Sequence, residues 1–317
     1  MEQRRNTILT HVEELPADVH FSTIQHMIAG GAAGLVEHSF MFPIDTVKTR
    51  MQSVLTATSG NGVSTVFGEV GTMVRADGYR RLYRGLSAVL VGAIPSHALY
   101  FATYELIKKS FTKKTHHDFH HHHHHEHYVA PSVAVTGLAG ICATMVHDAT
   151  STPIDVIKQR MQLNYSTGAI SCFRRILREE GLRAFYLSYP TTLLMNIPYT
   201  LAHFITYESI KHLLRNPSDH NHEVATWKHF VAGGMAGAAG AAISNPFDVV
   251  KTQLQTQPGL EYTGIRDVLN RMRLRPGGLI TGLSRGVVPR VMYFTPSAAI
   301  TWTTYEYMKR IFDGTHK

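Results

Sequence analysis

The chain is short of several things at once. It has two cysteines in 317 residues, Cys142 and Cys172, too few for a disulfide scaffold or a zinc site of four thiolates. It has no P-loop, no Gly-x-Ser-x-Gly elbow and no His-Glu-x-x-His helix, so these nucleotide-hydrolysing, esterase and zinc-protease signatures are missing. Neither an enzyme activity nor a prosthetic group is expected. No charged, then apolar, then small-residue leader follows Met1, and no cleaved secretory signal is expected. A mean hydropathy of -0.08 does not announce a membrane protein, and length alone would fit about two soluble domains.

Average hydropathy hides the pattern. Six stretches carry no Asp, Glu, Lys or Arg: 21–36, 86–104, 129–147, 184–207, 229–247 and 291–305. Most approach the roughly 20 residues that cross a bilayer as a helix, whereas a buried helix of a soluble protein reads as about 10–14 apolar residues. All six are flecked with Ser, Thr, Asn, Gln or His. That mixture suits helices with one lipid face and one wet face.

The chain also repeats itself. Pro43-Ile44-Asp45-Thr46-Val47-Lys48 recurs as Pro153-Ile154-Asp155-Val156-Ile157-Lys158 and as Pro246-Phe247-Asp248-Val249-Val250-Lys251. A glutamine follows nine residues after each proline: Gln52, Gln162 and Gln255. A second signature closes each unit: Tyr104-Glu105 with Lys108, Tyr207-Glu208 with Lys211, and Tyr305-Glu306 with Lys309. The expected organisation is an N-terminal segment 1–20, repeats 21–112, 128–215 and 224–313, a His-rich loop 113–127 and a linker 216–223.

These motifs carry their own physics. A proline inside a helix removes a backbone hydrogen bond and kinks the chain, which membrane helices tolerate where neighbours satisfy the freed carbonyl. Asp and Lys three residues apart share a helix face, where pairing within the helix contributes only about 0.2–0.5 kcal/mol. Set around a threefold axis, each acid instead reaches the next helix's lysine. Asp45, Asp155 and Asp248 with Lys48, Lys158 and Lys251 then form a closed ring, and the Tyr-Glu-x-x-Lys motifs supply the same parts at the other end. Two breakable rings at opposite ends are what alternating access needs. Gly30 with Gly34, and Gly233 with Gly237, have the small-xxx-small spacing that lets helices approach in lipid.

On these motifs the chain resembles the mitochondrial carrier family from about residue 21 to 313. The Pro-x-acid-x-x-base pattern and its glutamine are present three times. A further element, acid-Gly-x4-aromatic-base-Gly, is complete once, as Asp77-Gly78 with Tyr83-Arg84-Gly85. It is altered at Glu180-Gly181 with Tyr186-Leu187-Ser188, and again from Gly278 to Arg285-Gly286. The resemblance implies an all-α membrane protein with six transmembrane helices in three pseudo-threefold repeats. It implies a monomer in the mitochondrial inner membrane, both termini in the intermembrane space, and contact with inner-membrane lipid, cardiolipin included. It assigns a matrix gate to Asp45, Lys48, Gln52, Asp155, Lys158, Gln162, Asp248, Lys251 and Gln255. It assigns a cytoplasmic gate to Glu105, Lys108, Glu208, Lys211, Glu306 and Lys309. Arg75, Arg80, Arg81, Arg84, Arg174, Arg175, Arg178, Arg183, Arg266, Arg271, Arg273 and Arg275 all fall on the within-repeat, matrix side, as the positive-inside bias would have it. Much of the +8 formal charge is then explained without a nucleic-acid partner.

The solute must be read from polar groups inside the bundle. The chain has 21 histidines, and five fall on the first five expected helices or their edges: His38, His97, His147, His203 and His229. With Asp148 beside His147 they make a candidate metal set, since imidazole suits first-row transition metals. The loop His116-His117-Asp118-Phe119, then His120 to His125, Glu126 and His127, is a candidate cation antenna. Local strings resemble the mitoferrins, the iron importers of the family: Glu37-His38-Ser39, Pro95-Ser96-His97-Ala98-Leu99-Tyr100, Met145-Val146-His147-Asp148, Met195-Asn196-Ile197-Pro198 and Pro296-Ser297-Ala298. The family's solute contacts then fall near Gly92, Ser96, His97, Tyr100, Met195, Asn196 and Phe294, where Phe294 departs from the amide usual in mitoferrins. The expected cargo is ferrous iron; the alternatives are another divalent metal or a small neutral or cationic metabolite.

Overall fold

The computed structural model describes residues 23–53, 62–116, 133–214, 226–257, 259, 261–275 and 277–314. The N-terminal segment, the His-rich loop beyond His116 and the linker 216–223 lie outside the described residues. Every regular element described is helical. In order they are α1 (Thr23–Gln52), α2 (Val63–Asp77), a 3-10 turn (Tyr79–Tyr83), α3 (Leu86–His116), α4 (Val133–Gln162), α5 (Ala169–Glu179), α6 (Arg183–Tyr186), α7 (Tyr189–Leu213), α8 (Thr226–Thr256), α9 (Ile265–Arg273), α10 (Gly278–Leu283) and α11 (Val287–Gly314). Each of the six long helices contains a proline: Pro43, Pro95, Pro153, Pro198, Pro246 and Pro296.

The chain divides into two units, one of residues 38–298 and one of residues 1–37 with 299–317. The side-chain arrangements that follow belong to the first unless stated. Among the described residues one helical stretch, Tyr79–Phe111, is long and apolar enough by composition to cross a membrane, with a mean hydropathy of 1.4. The other long helices carry the charged Pro motifs or more Ser, Thr, Asn and His, which dilute the apolar signal of a helix with one wet face.

Long helices pair across repeat boundaries. α3 lies along α4, and α7 along α8. Two glycines make these seams possible. A Cβ on Gly92 would stand 2.6 Å from Ile154 Cγ2 on α4, and one on Gly240 would stand 3.0 Å from the Tyr199 carbonyl on α7. The described glycines of the expected small-residue pairs take part unequally. A Cβ on Gly34 or Gly233 meets nothing within 4 Å among the described residues, while Gly237 abuts Phe294 at 3.0 Å. Spacing marks a face that can pack; the neighbour's register decides which glycine is covered.

Under each Pro-motif helix sits a small apolar core. Val47, Met51, Val66, Met73 and Leu82 form the first. Val156, Met161, Cys172, Ile176, Ala184 and Phe185 form the second. Val249, Val250, Leu254, Tyr262, Val268 and Met272 form the third. Met51, Met161 and Leu254 hold one place in the repeat, six residues after each motif acid. The short amphipathic helices α2, α5 and α9 bury Met73, Ile176 and Met272 against them, the apolar stripe of a helix that covers a core on one side only.

In two of these three feet an arginine of the Pro-motif helix itself forms an ion pair with its own repeat, while in the third Arg271 of α9 pairs at the surface with Glu261 and Asp267. Arg50 Nε lies 3.1 Å from Glu69. Arg160 forks onto Glu180, with Nη2 donating at 2.7 Å, while its Nε donates to the Gln255 carbonyl at 3.0 Å. The third repeat has Gln253 where the others have Arg50 and Arg160, and Gly277 where the second has Glu180. Gln253 donates to the Gln52 carbonyl at 3.5 Å. In the second core, burial pushes the Cys172 thiol up to about 11, so it carries no thiolate at neutral pH. Glu180→Gln leaves a buried guanidinium short of its counter-charge and is expected to cost about 3–5 kcal/mol. It would appear as a lower melting temperature in detergent, with Cys172 becoming open to iodoacetamide at correspondingly lower temperature.

Candidate functional site

Three acids and three lysines from the Pro motifs meet in one ring. Lys158 Nζ on α4 lies 2.7 Å from Asp45 Oδ2 on α1. Lys251 on α8 lies 2.8 Å from Asp155 on α4, and Lys48 on α1 lies 2.8 Å from Asp248 on α8. Each helix gives its acid to one neighbour and its lysine to the other, so the cycle closes. The helical spacing explains this: Asp and Lys share a face, but the face points at two different helices.

The glutamines do not act alike. Gln162 donates to Asp45 Oδ2 at 2.8 Å and Gln52 to Asp248 Oδ2 at 2.9 Å. Gln255, expected to brace the ring, instead donates to Ser188 Oγ at 2.9 Å. The reason is one residue. Ser188 precedes α7 as Gly85 precedes α3 and Gly286 precedes α11. Gly85 and Gly286 take φ of +93° and +70°, the left-handed region natural to glycine. A Cβ there would stand 2.9 Å from the Lys158 carbonyl or 2.6 Å from Gln52 Cγ. Ser188 has φ -89°, which any residue adopts, and its hydroxyl takes the amide that its sister glutamines give to the ring.

At the other end, Glu105 faces Lys109 at 3.9 Å and Glu208 faces Lys211 at 4.0 Å, both along their own helices. Lys108 and Lys211 lie over Tyr104 and Tyr207 at 5.9 and 6.0 Å from the ring centres. The side chains of Glu306 and Lys309 lie outside the described residues.

Inside the bundle two groups form. The first joins α3, α4 and α7. The rings of His97 and His147 are 5.3 Å apart, with Tyr100 edge-on to His147 at 6.3 Å. Asp148 accepts from Asn196 Nδ2 at 2.7 Å and faces His147 Nδ1 at 3.4 Å. Asp148 therefore turns the Asn196 carbonyl oxygen and His147 Nε2 outward as open lone pairs, an outer-shell orienting role. His38 is near enough to His97 to influence it electrostatically.

The second group joins α7, α8 and α11. Arg290, on α11, donates to Met195 Sδ at 3.7 Å and to Ser244 Oγ at 2.8 Å, and it forms an ion pair with Asp248. The candidate contacts thus sit one side chain away from the ring. The spacing of the motifs pointed to Met195 and Asn196 but not to Arg290, which belongs to neither repeated motif.

Other candidates serve packing. Gly92 lies against Ile154. Ser96, buried, spends its hydroxyl on the Gly92 carbonyl at 3.0 Å, the back-bond that serine makes inside helices. Phe294 meets Tyr199 at 5.8 Å. Tyr199 stacks on His203 at 5.9 Å, and His203 on Tyr207 at 6.4 Å. His203 therefore belongs to an aromatic ladder along α7, away from the first group. The side chain of His229 lies outside the described residues. Among the described residues no three His, Cys, Asp or Glu side chains converge closely enough to hold a metal ion. The candidates that are described, His38, His97, His147, Asp148 and His203, thus form no single cage.

The family model of the mitochondrial carrier protein matches residues 19–115, 130–218 and 222–316. Human mitoferrin-1 is 40% identical over 306 residues, covering 94% of this chain and 85% of that protein. Mitoferrin of Dictyostelium discoideum is 38% identical over 309 residues, covering 90% and 93%. The mitochondrial RNA-splicing protein MRS3 of Saccharomyces cerevisiae is 36% identical over 311 residues, covering 95% and 92%. The chain belongs to the mitochondrial carrier family, whose members are transporters of the mitochondrial inner membrane.

The ring's bonding sets an order of sensitivity. Asp248 holds Lys48, Gln52 and Arg290, so Asp248→Asn is expected to cost about 3–5 kcal/mol. Asp155 holds Lys251 and is 32% exposed, so Asp155→Asn is expected to cost about 1–2 kcal/mol. Thermal melting of the two purified variants measures the difference.

Proposed function

We propose that this member of the family imports ferrous iron into the mitochondrial matrix by alternating access. α1, α3, α4, α7, α8 and α11 are its six spans, in three pseudo-threefold repeats, and both termini face the intermembrane space. The observation that carries the reading is the placement of two imidazoles, an amide oxygen and a thioether beside a closed ring of ion pairs. The names of the mitoferrins to which the chain is similar point the same way.

The chemistry suits a borderline dication that must be released. Fe2+ exchanges some of its waters for His97, His147 Nε2, the Asn196 oxygen and Met195 Sδ, with Tyr100 at the rim. Neutral nitrogen and thioether ligands favour transition metals over Mg2+ or Ca2+. Their small number keeps the ion from being trapped as it would be in a four-ligand structural cage. The ring of Asp45, Asp155 and Asp248 with Lys48, Lys158 and Lys251 closes the matrix mouth in the state described. Glu105, Lys108, Glu208 and Lys211 serve the other mouth; while it is open Glu105 rests against Lys109 and Glu208 against Lys211, each along its own helix. Inward movement of two charges is driven by the membrane potential, about 4.6 kcal/mol per 100 mV for a dication. Asp148 holds His147 and Asn196 in register throughout. The His-rich loop gathers cations outside and is dispensable for the transport step, the protein works as a monomer, and cardiolipin binds around α2, α5 and α9.

Proteoliposomes enclosing a metal-quenched dye test this, with the iron kept ferrous. Wild type is expected to take up Fe2+. His97→Ala with Met195→Ala is expected to lower the rate at least about tenfold, one lost ligand contact each; full uptake by that double variant would overturn the site assignment. Uptake is expected to fall as the outer pH drops from about 7.5 to about 5.5, because protonated imidazole has no lone pair for a metal. Lys48→Ala with Lys251→Ala is expected to abolish uptake while metal binding persists.

A further inference from the structure

Arg290 stands between the proposed cargo contact and the matrix ring. It is 6% exposed, and its guanidinium serves three acceptors at once: the Asp248 carboxylate, Ser244 Oγ at 2.8 Å and Met195 Sδ at 3.7 Å. Its Nε is buried with no partner among the described residues, so the fork leans toward these acceptors at the expense of its own stem. Asp248 is also the ring acid held by Lys48 at 2.8 Å and by Gln52 at 2.9 Å. Three ring acids balance three ring lysines, and Arg290 leaves one positive charge in excess beside Met195.

We propose that Arg290 is the positioning residue that couples the arrival of a cation at Met195 to the release of Asp248 from the matrix ring. The inference rests on the reading that Met195 touches the cargo. A ligand shifts a conformational equilibrium only as far as it interacts differently with the two states. Met195 and Asn196 alone would greet Fe2+ equally well with the ring open or closed. Arg290 supplies the difference. A dication on Met195 Sδ takes the lone pair that Arg290 donates to and sets a like charge beside the guanidinium in a poorly screened interior. Cargo therefore binds better once Arg290 has moved away, and when Arg290 moves Asp248 loses one of its three donors. A neutral solute at Met195 exerts no such repulsion, so the trigger selects for charge as well as for ligand chemistry. A guanidinium suits the place because its planar fork can hold a carboxylate and a second acceptor together, which a lysine ammonium on a flexible stem does less well.

The test is Fe2+ uptake by proteoliposomes over a range of Fe2+ concentrations, for wild type, Arg290→Gln, Arg290→Lys and Met195→Leu. Arg290→Gln removes the repulsion and the coupling together. KM is expected to fall about threefold or more while Vmax falls about tenfold, the pattern of a lost interaction that distinguished two states. Arg290→Lys keeps the charge and is expected to recover Vmax to within about threefold of wild type. An Arg290→Gln protein with unchanged kinetics, or with KM raised and Vmax no better in the lysine variant, would overturn the coupling role. Should Arg290→Gln fail to fold, Met195→Leu decides: it leaves the hold on Asp248 intact and removes the shared sulfur. Vmax at saturating Fe2+ is then expected to stay at least about fivefold low, whereas full recovery at saturation would mean simple ligand loss and end the proposal. Absence of Fe2+ uptake by wild type would sink the iron reading itself. Normal wild-type uptake that depends on Met195 but shows neither pattern would sink the Arg290 inference alone.

Discussion

Everything in the larger unit is arranged around a cycle of three interhelical ion pairs. Each helix can enter the cycle only if its acid and lysine reach different neighbours, which fixes the rotation of α1, α4 and α8 about their own axes. The three apolar cores beneath the ring secure that rotation from below. A buried ion pair of this kind gains little net free energy, because the attraction between its charges is nearly cancelled by their removal from water. On the reading of the ring as the matrix gate, that near-balance lets the same groups hold the mouth shut and still part under the modest free energy of one bound ion.

The repeats declared most of the ring's members. Three copies of Pro-x-Asp-x-x-Lys at the ends of three polar-flecked helices leave few ways to arrange six charges in a bundle. The sequence could not say which lysine each acid meets, because that depends on the order of helices around the axis. It misled on Gln255, because the competing acceptor, Ser188, lies 67 residues away in sequence. Gly92 and Ser96 face a neighbouring helix or their own backbone, contacts that spacing alone did not foretell. Helical position gives direction about one axis only, and depth and neighbour come from packing. Arg290 shows in the sequence as a lone cavity arginine, but its role carries no pattern until its acceptors on two other helices, α7 and α8, are seen.

On the proposed function, the two inner groups divide the work of handling a cation. Around Asp148, imidazole and amide lone pairs are held open by a carboxylate that is itself fully occupied. Around Arg290, one positive charge lies against Met195 and Asp248. On that reading the lone pairs that attract belong to α7, at Asn196 and Met195, and the charge that repels belongs to Arg290 on α11, which touches Met195. A path built this way favours an ion that lingers briefly over one that settles.

The hydroxyl of Ser188 has a kinetic corollary. By drawing Gln255 aside it leaves the Asp155–Lys251 link with no glutamine brace among the described residues, and this acid is also the wettest of the three, at 32% exposure against 16% for Asp45 and 7% for Asp248. A barrier with three equal latches would have to yield all at once. On the reading of the ring as a gate, a loose latch lets it yield in sequence, starting at the seam between α4 and α8 and leaving the most heavily bonded acid, Asp248, until last.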